Sequence, residues 1–212
     1  MLRTLFISFF ILVTSFSFSQ TTFNPDTESD FVKATYSNGD LITILGQNLT
    51  YPKEAAINGT EGDVVYLITI DHTGKLVSYE AKERISEKLS KQAEESIKSL
   101  TSNWSPTKVH GEPIDREYLL IFSYRIYYNA LPIDYHSVAK KFEEKGKIEK
   151  SVRTYDDAIK KYPHEPVYYT MRGKYKEELD DLSGAEADKL KAEKLNMEVL
   201  AVVEIAQSQS IR

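Results

Sequence analysis

Cysteine is absent from this chain. Disulfides, thiolate metal sites and a cysteine nucleophile are therefore excluded, and any core must hold by packing alone. Histidine is scarce: His72, His110, His136 and His164 lie far apart, and no pair has metal-ligand spacing. Each reads as a solvated side chain, so no metal and no cofactor are expected. No G-x-S-x-G, P-loop or dinucleotide fingerprint occurs; "INGTEGD" (57–63) has two glycines and precedes a strand pattern rather than a helix. A basic block is missing too. Lys and Arg are scattered and the net charge is −5, which argues against nucleic acid. The carboxylate clusters Glu83/Glu87 and Glu143/Glu144 fall on charged helix faces and read as solvation. No catalytic residue is expected, and an envelope enzyme is the least supported reading.

What the chain does have is ordinary material for a fold. Its 212 residues are 41% hydrophobic and 28% charged, enough for one or two small domains. Residues 1–19 differ from the rest. Arg3 supplies a positive start, Leu5 to Phe18 an apolar run, and Ser17 and Ser19 the small residues before a cut at Gln20. This reads as a cleavable signal peptide and implies export. Left uncleaved it would be an inner-membrane anchor, but the run is shorter than the ~20 residues a span needs. Residues 20–37 are polar and aperiodic and read as a linker.

From Asp63 the hydrophobic period becomes two. Val64, Tyr66, Ile68 and Ile70 share one face, with Val65 and Leu67 on the other. "DHTG" (71–74) supplies a turn, and 75–82 returns as a second strand. Leu89, Ala93, Ile97 and Leu100 recur at helical spacing over 86–100, predicting an amphipathic helix on Tyr66, Ile68 and Phe122. After a break at Pro106, Gly111 and Pro113, residues 114–129 form a long strand. The expected fold is α+β, a small three-stranded antiparallel sheet with helices over 38–128, followed by an all-α tail.

The tail, 132–207, repeats itself. Ala139 and Gly173, Ser151 and Ala185, and Ala158 and Ala192 are each 34 residues apart. Small residues at those positions let paired helices approach closely. The period is that of tetratricopeptide (TPR) repeats, and "YYTMRGKYKEELDDLSGAEADKLKAEKLN" (168–196) resembles one such repeat. "NMEVLAVVEIA" (196–206), too apolar for a free tail, reads as a terminal capping helix. The sheet has a spare apolar face, Val65 and Leu67, and the repeats are expected to dock on or beside the 38–128 unit as one rigid body.

Several residues of 38–127 stand in a recognisable order: Tyr51-Pro52, Ala55, Gly59, Gly62, Val64, Gly74, Leu89, Ala93, Trp104, Pro106, Gly111, Pro113 and Phe122-Ser123-Tyr124. Together they resemble the C-terminal domain of TonB, in the versions common in Bacteroidetes. Tyr51, Pro52, Gly59, Gly62, Gly74, Trp104, Pro106 and Gly111 all have plain structural roles in such a domain. The resemblance implies a periplasmic module that binds a protein or peptide, outer-membrane TonB-dependent receptors among them, by adding the partner's segment as a strand. It places the accepting edge on Tyr118, Leu119, Leu120, Ile121, Phe122, Ser123 and Tyr124. Asn48, Leu49 and Thr50 would assist, although they depart from the glutamine-rich version of the best-known member. The competing reading of Leu119 to Tyr124 is a buried or covered strand. Function then divides between a binding module with TPR-like helices as a second surface and an energy-transducing TonB component. For the transducer, residues 20–38 are a short spacer, reaching at most about 65 Å when extended.

Overall fold

The computed structural model describes residues 30–128 and 132–209; the expected signal peptide and most of the 20–37 linker lie outside the described residues. Strand β3 (Gly62–Ile70) follows the two-residue alternation, burying Val64, Tyr66, Ile68 and Ile70. It turns at Asp71, whose carboxylate accepts the amides of Thr73 and Lys75, both at 2.9 Å, and returns as β4 (Leu76–Glu83). Gly74 closes that turn at φ +79°, and a Cβ there would lie 2.1 Å from the Trp104 carbonyl oxygen, so only glycine fits.

Ser86 caps helix α3 (Glu87–Lys98), its hydroxyl accepting from the Leu89 amide. The Leu89/Ala93/Ile97 stripe packs with Tyr66, Ile68, Leu120, Phe122 and Tyr124 in the principal core. The long strand β8 (Arg116–Tyr128) pairs antiparallel with β3 from Gly62↔Tyr124 to Ile70↔Arg116. Short helices α1 (Leu41–Gly46) and α2 (Lys53–Ile57) flank the same core, α1 capped by Asp40 and α2 preceded by Pro52.

Three expectations need correction. Residues 31–36 are not a linker. Strand β1 (Phe31–Val32) pairs with β6 (Thr107–Val109), which pairs in turn with β7 (Glu112–Ile114), and β2 (Thr35–Tyr36) pairs with β5 (Trp104–Ser105). Ala34 and Trp104, both buried, are the reason: the polar-looking stretch carries one small residue that enters the core and one aromatic, Tyr36, that packs against it on Trp104.

The second and third corrections concern one element. Residues 199–206 are not a capping helix but most of strand β9 (Val199–Gln209), and the main sheet has four strands, not three, in the order β4-β3-β8-β9. Strand β9 runs parallel to β8 from Leu119↔Val199 to Tyr128↔Gln209, with one register shift between Leu119 and Leu120. Parallel neighbours need a crossover. Four helices supply it: α4 (Tyr135–Glu143), α5 (Ile148–Lys161), α6 (Pro166–Glu178) and α7 (Leu182–Glu198). The physical cause is twofold. Val199, Val202, Val203 and Ile205 are β-branched, and β8 would otherwise leave a row of backbone donors and acceptors unpaired beside a core.

The four helices form two antiparallel hairpins. At the α6–α7 crossing a Cβ on Gly173 would lie 3.2 Å from the Ala185 carbonyl oxygen, so the small residues do allow close approach. In the first hairpin the Ser151 hydroxyl, fully buried, donates to the Ala139 carbonyl at 2.8 Å. Helices α6 and α7 lie on the sheet's other face, where Tyr169, Ala192 and Leu195 pack with Val65, Ile121 and Val199. Leu67 is half-buried and outside that cluster.

Candidate functional site

Strand β8 holds all seven residues expected to form an accepting edge, and it is not an edge. β3 occupies one side and β9 the other. Tyr118 is buried, its hydroxyl 2.6 Å from that of Thr107 and accepting the Ala34 amide at 3.1 Å. Leu120, Phe122 and Tyr124 point into the core under α3; Ile121 faces the helical hairpins. Leu119 is half-buried and pairs with Val199. The Ser123 hydroxyl donates to Asp63 at 2.7 Å. The reason for the correction is the chain's own last strand, which satisfies the groups an incoming segment would have used.

The remaining predicted residues are scaffold. Asn48, Leu49 and Thr50 join α1 to α2; Asn48 and Thr50 are exposed and Leu49 packs against the core. Tyr51 donates to the Thr60 carbonyl at 2.5 Å and meets Tyr124 edge-on at 5.6 Å. Burial, reinforced by Glu61, pushes its hydroxyl up to about 12. Gly59, Gly62 and Gly111 all adopt positive φ, and Pro106 separates β5 from β6. The Trp104 indole N–H donates to the Leu100 carbonyl at 2.9 Å beneath the sheet.

A site that sequence reasoning missed lies where the sheet meets the end of α5. Arg125, 3% exposed, donates to the Asp63 carboxylate at 2.5 Å and to the Lys161 carbonyl at 2.7 Å. Its Nε has no hydrogen-bond partner among the described residues. Tyr127 stands alongside, its hydroxyl 2.9 Å from that of Tyr162 and donating to Glu204 at 2.8 Å. Burial depresses the His164 imidazole and raises the Glu165 carboxyl at this seam. A cleft of about 300 Å³ opens beside it, lined by Glu61, Asp63, Glu83, Arg125, Lys160 and Lys161. Its three carboxylates and three cations balance in formal charge. The signal was there: one arginine inside the apolar run "YLLIFSYRIYY" must find a partner.

Among the described residues no group of three or more His, Asp or Glu side chains is placed to hold a metal, and no helix is long and apolar enough to cross a membrane.

The main sheet ends in two edge strands, β4 and β9. Among the described residues, no main-chain hydrogen bond from Leu200 to Gln209 leaves the β8–β9 ladder. The β9 edge is that of the parallel fourth strand, laid beside an antiparallel three-strand unit that carries the Tyr-Pro and Trp-x-Pro residues. Residues 47–126 match the family Gram-negative bacterial TonB protein C-terminal. The match covers the stretch from just after α1 to β8 and stops before the helical hairpins and β9. Among solved structures, the NMR solution structure of the Helicobacter pylori TonB C-terminal domain is 21% identical, with 47% of this chain and 92% of that chain covered, at a TM-score of 0.28. So loose a likeness adds nothing to the fold described above. No curated protein matches the sequence.

Proposed function

We propose that this chain is a TonB-like protein–protein interaction module of the periplasm that binds an extended segment of a partner by strand addition. The observation that carries it is the TonB C-terminal match over residues 47–126, in a fold that presents a mixed sheet with an open edge. Outer-membrane receptors of the TonB-dependent kind are the first candidates for partner. The two hairpins, TPR-like in period and in their small-residue crossings, stiffen the module and offer a second protein-binding surface. Main-chain bonds supply affinity in such binding, and side chains of alternate residues supply choice.

The test is surface plasmon resonance of the full chain over immobilised N-terminal segments of outer-membrane receptors from the same genome. Saturable binding above scrambled-sequence controls supports the module. Binding no better than the scrambled controls for every segment rejects it. An energy-transducing role additionally requires an anchored N-terminus; mass spectrometry of the N-terminal peptide of the protein recovered from membrane and soluble envelope fractions separates the two, a start at Gln20 excluding the anchor.

A further inference from the structure

The two edges of the main sheet are built differently. β4 is a guarded edge: it carries Glu80, Lys82 and Glu83, its pairing with β3 is broken by two register irregularities, and the Leu76 amide is already bonded to the Thr101 carbonyl. Charges and bulges of this kind deter edge-to-edge pairing. β9 carries fewer of these devices, and among the described residues the one main-chain group engaged by a side chain from outside the strand is the Val199 carbonyl at its start, which accepts from the Lys33 ammonium. Its eleven residues, "VLAVVEIAQSQ", contain one charge and no proline, and that charge, Glu204, is engaged by the Tyr127 hydroxyl. Its one register shift lies at the start, between Leu119 and Leu120 of its partner.

β9 is also not a loosely laid strand that a competitor could lift away. Ala201, Val203 and Ile205 belong to the principal core and Val199 to the core under α7. It follows α7 directly, and the Gln209 side-chain amide donates to the Ala56 carbonyl of α2 at 2.5 Å. The two short helices that border it each expose an isoleucine. Ile42 is 49% exposed on α1, where a Cβ on Gly46 would be in ordinary van der Waals contact with Val203 at 3.6 Å; Ile57 is 72% exposed on α2. Exposed apolar side chains on the elements beside an unguarded edge call for a partner strand with apolar alternate residues.

We propose that the strand-accepting edge of this protein is the outer edge of β9, and that its occupant is an extended, uncharged segment of a partner protein with apolar residues at alternate positions. The inference rests on the strand-addition reading and relocates its site from β8 to β9. β9 occupies the edge of β8 permanently and presents a new edge of its own.

The experiment uses the full chain and a soluble peptide of alternating valine and threonine with a lysine at each end, followed by fluorescence anisotropy. Successive amides of a strand point to opposite sides, so Ala206→Pro and Gln207→Pro remove one donor facing β8 and one facing outward. The variant that melts like the parent is the outward one, and it is expected to bind the peptide at least tenfold more weakly. The same pair on β4, Val77→Pro and Ser78→Pro, should leave binding unchanged in its stable member. Because the chain lacks cysteine, Ile126→Cys with Gln207→Cys, which are paired across β8 and β9, can lock the two strands unambiguously. Oxidised and reduced forms are expected to bind alike. Binding lost on oxidation and restored by reductant would mean that β9 must leave, which overturns the inference and keeps strand addition. Binding that follows the β4 variants does the same. If the chain instead sediments as a dimer that the outward proline dissociates, and the peptide fails to compete, the occupant is a second copy and the inference is wrong. No peptide binding by any form, with a monomer throughout, overturns both the inference and the strand-addition reading.

Discussion

The two faces of the main sheet solve the same problem with different chemistry. The face under α3 is dry: Val64, Tyr66, Ile68, Leu120 and Phe122 are buried together, and the two central tyrosines send their hydroxyls to helix carbonyls, Tyr66 to Ser90 and Tyr124 to Leu89. The face under the hairpins is apolar only around Val65, Ile121 and Val199, and turns polar at Asp63, Ser123, Arg125 and Tyr127. Hydrophobic burial is non-directional, so the first face holds α3 without specifying each contact. A buried guanidinium must reach particular oxygens, and here one of them is the Lys161 carbonyl at the end of α5. The ion pair therefore adds little net stability and sets where the hairpins sit. The dry face makes the domain; the polar seam positions what is attached to it.

Breaking the dry face should cost most. Trp104→Ala removes a buried indole together with its N–H bond and its edge contact to Tyr36, and is expected to cost about 3–5 kcal/mol in urea unfolding. A loss under about 1 kcal/mol would show that the ring contributes no core packing.

The seam is tested next. Arg125→Met leaves the Asp63 carboxylate buried without its cation and should cost about 3 kcal/mol. Adding Asp63→Leu should recover most of that loss, because both charges are then gone. If the double variant is as unstable as the sum of the singles, the pair does not act as a unit.

A smaller effect sharpens the helical side. Burial would raise the Asp188 carboxyl, but bonds to Arg172 at 2.6 Å and to Lys176 at 2.9 Å outweigh it and hold the group below its ordinary value of 3.8. A depressed carboxylate contributes stability above its unfolded pKa and loses it as pH falls through the folded one. Melting temperature should therefore drop below about pH 4 more steeply in the parent than in Asp188→Asn. Equal slopes would remove the ion cluster from the acid response.

The smallest change is expected at Ser151. Its hydroxyl bonds a carbonyl within the hairpin, so Ser151→Ala should cost under about 1 kcal/mol. A larger loss in denaturant melts would mean that this bond, rather than small size, is what the α4–α5 crossing requires.

How far each part was legible follows from the range of the interaction that fixes it. The alternation in 63–82 and 114–126 already marks β3, β4 and β8, and the Leu89/Ala93/Ile97 stripe marks α3, because a side-chain period is a property of the local chain. The pairs Ala139/Gly173 and Ala158/Ala192 mark helices that approach closely, for the same reason. Phe31 to Tyr36 were not legible: strands of two residues carry no period, and what orders them is the backbone of 104–109 across the fold. The candidate site was half legible. The residues of β8 were named, but their role as an edge was not decidable from them.

The last strand shows where the boundary falls. Val199, Leu200 and Val203 suit one face of a helix as well as Val199, Ala201, Val203 and Ile205 suit one face of a strand. By itself the sequence determined that this segment is apolar, β-branched and destined for a core. Only the tertiary structure decided that it is a strand. Four helices carry it back beside β8, whose unpaired amides and carbonyls would otherwise be buried without partners, and that demand for hydrogen bonds has no counterpart in the local sequence.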